Sequence, residues 1–327
     1  KLWRMNVVLD IETDSLDAKK IHCIVAKDLE TSQVHVWDHN NLDQFKSWCD
    51  KVDNFIMHNG ISFDVPILRR LLGVNIKIKQ MRDTLVMSQL FNPVREKGHS
   101  LKAWGETLHY PKGEHENFAM YTEDMLEYCK NDVDLTEQVY KKLRQEGRNF
   151  SELSINMEHK IRAIIDQQET NGFALDIRKT IGLLSRLSDE AHELVNWSKV
   201  TFQPTVVELK TKPNKIVPFN IGSRQQIAAC LIDLDWKPKH HTDKGNIIVS
   251  EEILNTIDME EAQKFSRYFL LQKRIAQVQS WINTYRDNTG RVHGRVLTLR
   301  TITGRMAHMS PNMAQVPAIR SPFGFEC

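Results

Sequence analysis

Near its start the chain reads Val7-Val8-Leu9-Asp10-Ile11-Glu12-Thr13. The apolar residues run almost unbroken, as in a strand buried on both faces, yet two carboxylates interrupt the run. A strand repeats every two residues, so Asp10 and Glu12 point to the same side of the sheet. Two like charges that close are costly to bury unless a cation neutralises them. Hard divalent ions such as Mg²⁺ or Mn²⁺ take oxygen ligands, so a metal site is one resolution. A half-exposed strand whose acids face water is the other, and the motif alone does not choose between them.

Downstream, residues 21–27 and 34–37 read as two more strands, separated by a polar turn at Glu30-Thr31-Ser32. Leu42, Phe45, Trp48, Cys49 and Val52 have helical spacing. Residues 55–58 form a short buried strand closed by Asn59-Gly60. A helix then starts near Asp64 and tolerates Pro66 in its first turn. Three early strands followed by helix, strand and helix predict an α/β domain with a mixed sheet. Asp64 falls where a strand passes into a helix, which is where sites sit in open α/β sheets, although a simple helix N-cap accounts for it as well. Residues 81–91 are expected to be helical, the helix beginning at Asp83-Thr84, with 92–100 a polar loop and Leu101–Leu108 another helix. The long helix expected at 122–144 carries Tyr128 and Asp132 at i and i+4, a phenol one turn from a carboxylate. Residues 1–4, which precede a methionine, read as an extension rather than part of the fold.

With 327 residues, 41% hydrophobic and 26% charged, the chain has the composition of a globular protein of two or three domains. No run of 18 apolar residues and no charged-then-apolar leader is found, which predicts no membrane anchor. Cys23, Cys49, Cys129, Cys230 and Cys327 are scattered and odd in number. That pattern argues against a disulfide framework or a zinc cluster, and for the reducing cytoplasm. The net charge of +2 hides an asymmetry: residues 1–150 carry 21 Lys+Arg against 23 Asp+Glu, and residues 151–327 carry 23 against 19. A cationic half beside an acidic, metal-seeking half suggests a polyanion held by one and cut by the other. Basic runs that merely face solvent are the plainer reading of any single run.

The motifs are more specific as an ordered set. Asp10-x-Glu12, then Asn59 with Phe63-Asp64, then Tyr128-x-x-x-Asp132 resembles the tyrosine-bearing branch of the DEDD 3′→5′ exonuclease superfamily; Asp83-Thr84-Leu85-Val86-Met87-Ser88 adds to the likeness. In the second half, Asn171-Gly172-Phe173-Ala174-Leu175-Asp176, Ser223-Arg224-Gln225-Gln226-Ile227, Leu271-Gln272-Lys273-Arg274, Thr303-Gly304-Arg305 and Pro311-Asn312-Met313-Ala314-Gln315 resemble family A (pol I-type) DNA polymerases. Across the chain the likeness is to the replicative polymerases of short-tailed coliphages.

This resemblance implies an RNase H-like α/β exonuclease domain over residues 1–148 and a mostly α-helical thumb over 149–327, ending before the palm. It implies that Asp10, Glu12, Asp64 and Asp132 hold two divalent ions, Mg²⁺ or Mn²⁺, with Tyr128 placing the attacking water. By the same resemblance Leu16 is a wedge against the terminal base, and Asn59 and Phe63 contact the strand. Arg305 and Gln315 reach the minor groove, where all base pairs present similar acceptors. His308 and Asn312 are lesser candidates there, while Lys273, Arg274, Arg295 and Arg300 are phosphate contacts. The implied activity is proofreading of DNA, with polymerisation only when a second polypeptide supplies palm and fingers; that partner would dock near residues 305–327 on an exposed apolar face. The segment 200–219 is too short for a thioredoxin-binding insertion, so thioredoxin is not expected. Two other readings remain: a non-catalytic DNA-holding subunit, and a stand-alone RNase D-like exonuclease acting on RNA.

Overall fold

In a computed structural model, residues 5–110, 113, 115–207 and 215–327 are described, the side chains of 205–207 and 215 excepted. Residues 1–4 and part of the 200–219 segment therefore lie outside the described residues.

The stretch Val7–Thr13 lies in the central strand of a five-stranded sheet. β1 (Asn6–Thr13), β2 (Ile21–Asp28), β3 (Val34–Asp38), β4 (Asn54–Met57) and β5 (Met81–Asp83) are ordered β3-β2-β1-β4-β5. β1–β2 and β2–β3 are antiparallel, joined by short links, whereas β1–β4 and β4–β5 are parallel. The parallel pairs need crossovers, supplied by α1 (Leu42–Cys49) and α2 (Asp64–Leu72). The sheet is mixed, as expected.

Strand parity sorts β1 into two faces. Val7, Leu9 and Ile11 pack with Phe45 of α1 and Val65, Ile67 and Leu68 of α2. Val8 points the other way and packs with Val25 and Ile56 against Leu126, Cys129 and Val133 of α5 (Glu123–Glu146). Asp10 and Glu12 share the parity of Val8, so they face α5. That helix is fixed by a Thr122 cap onto the Met125 amide and by Leu135, Val139 and Leu143 packing with α3 (Thr84–Phe91) and α4 (Leu101–Leu108). Each of those fully buried side chains contributes about 2 kcal/mol.

The helix expected within 81–91 does begin at Asp83-Thr84, with α3 starting at Thr84, and the residues before it add a short strand outside that expectation: Met81–Asp83 forms β5, in register with Phe55, Ile56 and Met57. Three residues are too few for a period of two to emerge from sequence. Asp83 makes the switch, because its side chain accepts the amides of Leu85 and Val86 and so caps α3.

The chain forms two compact units. The first comprises Lys1–Asn171 with Arg295–Met309, the second Gly172–Gly294 with Ser310–Cys327. Helix α6 (Glu152–Asn171) packs against α3 and β5 and so belongs to the first unit, beyond the sequence-based boundary at 148. The second unit is mostly helical: β6 (Phe173–Ala174), α7 (Ile177–Thr201), the ladder β7 (Thr205–Val207) with β8 (Lys215–Val217), α8 (Arg224–Asp233), α9 (Glu251–Leu254), α10 (Glu260–Thr284), β9 (Tyr285–Arg286) and β10 (Arg291–Val292). Leu183, Leu187 and Ala191 form an i±4 row on α7 that packs on Leu271, Val278 and Trp281 of α10. Gly172, at φ +65°, lets β6 pair with β10, since a Cβ there would lie 2.7 Å from the Val292 carbonyl oxygen.

The ladder of β11 (Arg295–Leu297) with β12 (Ala307–Met309) completes the first unit. Val296 ties it to α6: its carbonyl accepts from Arg162 Nη1 at 2.8 Å, and its amide donates to Glu169 Oε1 at 2.5 Å. Among the described residues no helix is long and apolar enough to cross a membrane.

Candidate metal centre

Asp10 and Glu12 leave β1 on the face covered by α5, and Cys129 of α5 meets them there. Ligand atoms of the three residues lie within 4.8 Å of one another. The Cys129 thiol is 3.6 Å from both the carbonyl oxygen and Oδ2 of Asp10. Burial pushes that thiol well above its usual range, and the charges of Asp10 and Glu12 add to the effect, so it stays a neutral donor. By sequence Cys129 is only one of five scattered cysteines; its neighbour Tyr128 is the available signal, since adjacent helical positions bracket the buried face.

Asp64 reaches the same strand from α2. It is not a cap: Phe63 occupies that position and makes no side-chain cap bond. Its carboxylate is 2% exposed, and Oδ1 has no hydrogen-bond partner. Burial pushes its pKa up to about 7; its own amide opposes, the Asp83 charge adds, and the Ile11 amide opposes again. Ile11 is available because β4 pairs with β1 only through Val8, leaving the later amides of β1 on that side to other partners. A buried carboxylate with an orphaned oxygen beside a strand bearing two more acids is the donor set of a hard cation. Asp132 is also buried, at 4% exposed, on α5 one turn beyond Tyr128. Of the acids named from sequence, Asp10 and Glu12 are brought within ligating reach of one another, together with Cys129; Asp64 and Asp132 add buried carboxylates, a donor chemistry that fits a divalent ion.

Tyr128 is half-buried, with the rings of His115 and Phe118 at 6.0 and 6.3 Å. Leu16, in the loop after β1, is 90% exposed, unusual for a leucine. Asn59 and Phe63 are half-buried, Asn59 in the left-handed region at φ +66°, which lets the chain turn sharply between β4 and α2.

The remaining candidates fall in both units. Arg305 is exposed and His308 lies on β12, both in the first unit. Lys273, Arg274, Asn312 and Gln315 belong to the second. Lys273 is exposed, but Arg274 is buried, with Nη1 donating to Gln277 at 3.0 Å. Asn312 accepts the Ala314 amide at 3.0 Å, and the exposed Gln315 takes Gln277 Nε2 on its carbonyl at 2.6 Å. Apolar side chains exposed near the end of the chain include Ile302, Met306 and Met309 in the first unit and Val316, Ile319 and Phe325 in the second.

Comparison with known proteins agrees with this geometry. Residues 4–148 match the family described as 3′-5′ exonuclease, and residues 192–327 match DNA polymerase family A. The DNA-directed DNA polymerases of Escherichia phage T7 and Enterobacteria phage T3 are 25% and 26% identical, over 98% of this chain and 64% of each relative. DNA polymerase I of Bacillus subtilis is 23% identical over 76% of the chain and 28% of its own length. Among solved structures, the POL domain of Pol1 from M. smegmatis, in complex with DNA primer-template and dNTP, shares the fold. It has a TM-score of 0.73 at 16% identity, covering 99% of this chain and 54% of that one. The chain spans about 64% of the length of the phage relatives it matches. A mixed α/β unit bearing Asp10, Glu12, Asp64 and Asp132, the two family matches and the phage relatives lead to one assignment: residues 4–148 carry a 3′-5′ exonuclease domain and residues 192–327 a DNA polymerase family A region.

Proposed function

We propose that the chain is a metal-dependent 3′→5′ exodeoxyribonuclease that proofreads DNA, with residues 1–148 cutting and residues 149–327 serving as a thumb that holds primer-template. The observation that carries this reading is the buried Asp64, with its orphaned oxygen, beside the strand bearing Asp10 and Glu12. Two divalent ions, Mg²⁺ or Mn²⁺, would supply a polarised water and stabilise charge on the leaving oxygen. Asp10, Glu12, Asp64 and Asp132 hold them. Tyr128, a hydroxyl that both donates and accepts, orients the water. Leu16 wedges against the terminal base, while Asn59 and Phe63 contact the strand. Frayed or mismatched ends are selected because unpairing costs least there.

The exposed Lys273, Arg305 and Gln315, with Arg274, His308 and Asn312, are assigned to DNA. Polymerisation is proposed only with palm and fingers in place beside this thumb. The working place is the cytoplasm.

The test is a 5′-labelled single-stranded DNA incubated with Mg²⁺ or Mn²⁺, beside an Asp10→Ala control and an RNA of the same sequence. A ladder shortening from the 3′ end, lost in the control, supports the reading. Cleavage of RNA in preference to DNA favours an RNase D-like enzyme, and no cleavage of either favours a DNA-holding subunit.

A further inference from the structure

Asp83 caps α3, but capping uses only part of its carboxylate. Oδ1 accepts the amide of Asn59 at 3.1 Å as well as those of Leu85 at 3.0 Å and Val86 at 3.3 Å. Oδ2 accepts the amide of Ile61 at 3.0 Å. Two of these four donors lie outside the helix it caps, in the turn that leads to Phe63 and Asp64. Buried to 1% exposure, Asp83 clamps that turn to the end of β5.

The clamp has a support behind it. The Asp83 amide donates to His159 Nε2 at 2.7 Å, and His159 Nδ1 lies 2.6 Å from the Ile155 carbonyl. The second contact requires a proton on Nδ1, which leaves Nε2 bare to accept from Asp83. Burial lowers the His159 pKa, in keeping with a neutral ring. Seven residues further along α6, Asp166 lines a cleft with Asn59, Ser62 and Phe63 of the turn, so one face of this helix meets Asp83 at one end and the turn at the other. Residues 149–191, which include α6, fall outside both family matches.

We propose that Asp83, with His159 and Asp166 of α6 behind it, forms the positioning frame that sets Asp64 against Asp10 and Glu12 for metal binding. The inference rests on the nuclease reading and extends it: α6, placed with the thumb by sequence, is part of what makes the exonuclease centre. These are positioning residues, since none of them is assigned to touch metal or DNA. Groups of this kind around a metal site typically change its affinity about 10–100-fold when lost.

The test measures Mn²⁺ binding to the full chain by calorimetry without DNA, and the Mn²⁺ concentration for half-maximal cleavage with it. His159→Ala strands the Asp83 amide; His159→Gln offers an oxygen in place of Nε2. Asp83→Asn turns an NH₂ group onto amide donors. Ile155→Ala, a buried change on the same helix that leaves the hydrogen bonds, controls for simple loss of stability. The expected result is Mn²⁺ binding weakened about tenfold or more in His159→Ala and Asp83→Asn, with KM for DNA within about threefold. His159→Gln recovers most of the affinity, and Ile155→Ala leaves it unchanged. Wild-type affinity in His159→Ala, or an equal loss in Ile155→Ala, overturns the proposal. If Asp83→Asn does not fold, the His159 pair decides. A wild-type chain that neither binds Mn²⁺ nor cleaves DNA sinks the nuclease reading, and this inference with it.

Discussion

The Cys129 thiol lies 3.6 Å from Asp10 Oδ2, so at this position α5 presents neutral sulfur, not a cationic side chain, to the first acid of β1. A lysine there would neutralise Asp10 and displace a metal; a protonated thiol leaves the carboxylate charge for a cation to meet. Cys129→Ser keeps a small donor in place, and Mg²⁺-dependent cleavage is expected to stay within about threefold of wild type. A loss of about a hundredfold in the same assay would make the sulfur a ligand.

Asp64 illustrates a cost accepted for function. Its carboxylate is buried, with one oxygen unpartnered. Replacing the carboxylate by a carboxamide would keep an oxygen for the Ile11 amide and remove the buried charge. Asp64→Asn is therefore expected to stabilise the metal-free protein by about 1–2 kcal/mol at about pH 8 and to lose the Mg²⁺-induced rise in melting temperature. Melts in EDTA and in Mg²⁺ measure both, and a variant less stable than wild type in EDTA contradicts the burial argument.

Lys27 on β2 reaches α5, with Nζ 2.7 Å from Asp134 and 2.8 Å from Glu137. Burial alone would raise the Glu137 pKa, but hydrogen bonds and charge from Lys141 and Lys27 outweigh it and hold the carboxyl below its usual value. A depressed acid contributes stability that is present above its unfolded pKa and lost as pH falls through the folded one. Lys27→Met is expected to cost about 1–2 kcal/mol at about pH 7, because Glu137 keeps Lys141. The difference from wild type should shrink below about pH 4.5, near the unfolded pKa. Denaturant titrations at about pH 7 and about pH 4 test this, and an equal difference at both would remove Glu137 from the explanation.

Gly60 sits in the clamped turn at an ordinary φ, so its need is steric. A Cβ there would run into Met57 Cβ, which is fixed to β4 and cannot swing aside. Gly60→Ala is expected to cost about 1–3 kcal/mol and to lower cleavage through displacement of Asn59 and Asp64. A melting temperature equal to wild type would show that the turn is free to move.

What is legible in the chain follows from the range of the interactions. Asp10 and Glu12 can be read because a strand's period is local and two acids in an apolar run break it. Tyr128 and Asp132 can be paired because helical spacing is local too. The β5 strand cannot be read, since Met81–Asp83 is too short for any pattern. Cys129 escapes notice because its role depends on a partner 119 residues away. For the same reason Asp83 is legible only as part of a motif: its amide finds His159 76 residues later. The packing boundary after Asn171 is not visible in the sequence, because it depends on α6 packing against α3 and β5, far earlier in the chain.

The nuclease reading turns on whether Asp10, Glu12, Asp64 and Asp132 bind divalent metal in this chain. Anomalous scattering from crystals soaked in Mn²⁺ measures this without relying on catalysis. Mn²⁺ peaks bounded by those four carboxylates are expected, absent from crystals of Asp10→Ala. No peak at that position, with Mn²⁺ bound elsewhere or not at all, would contradict the reading.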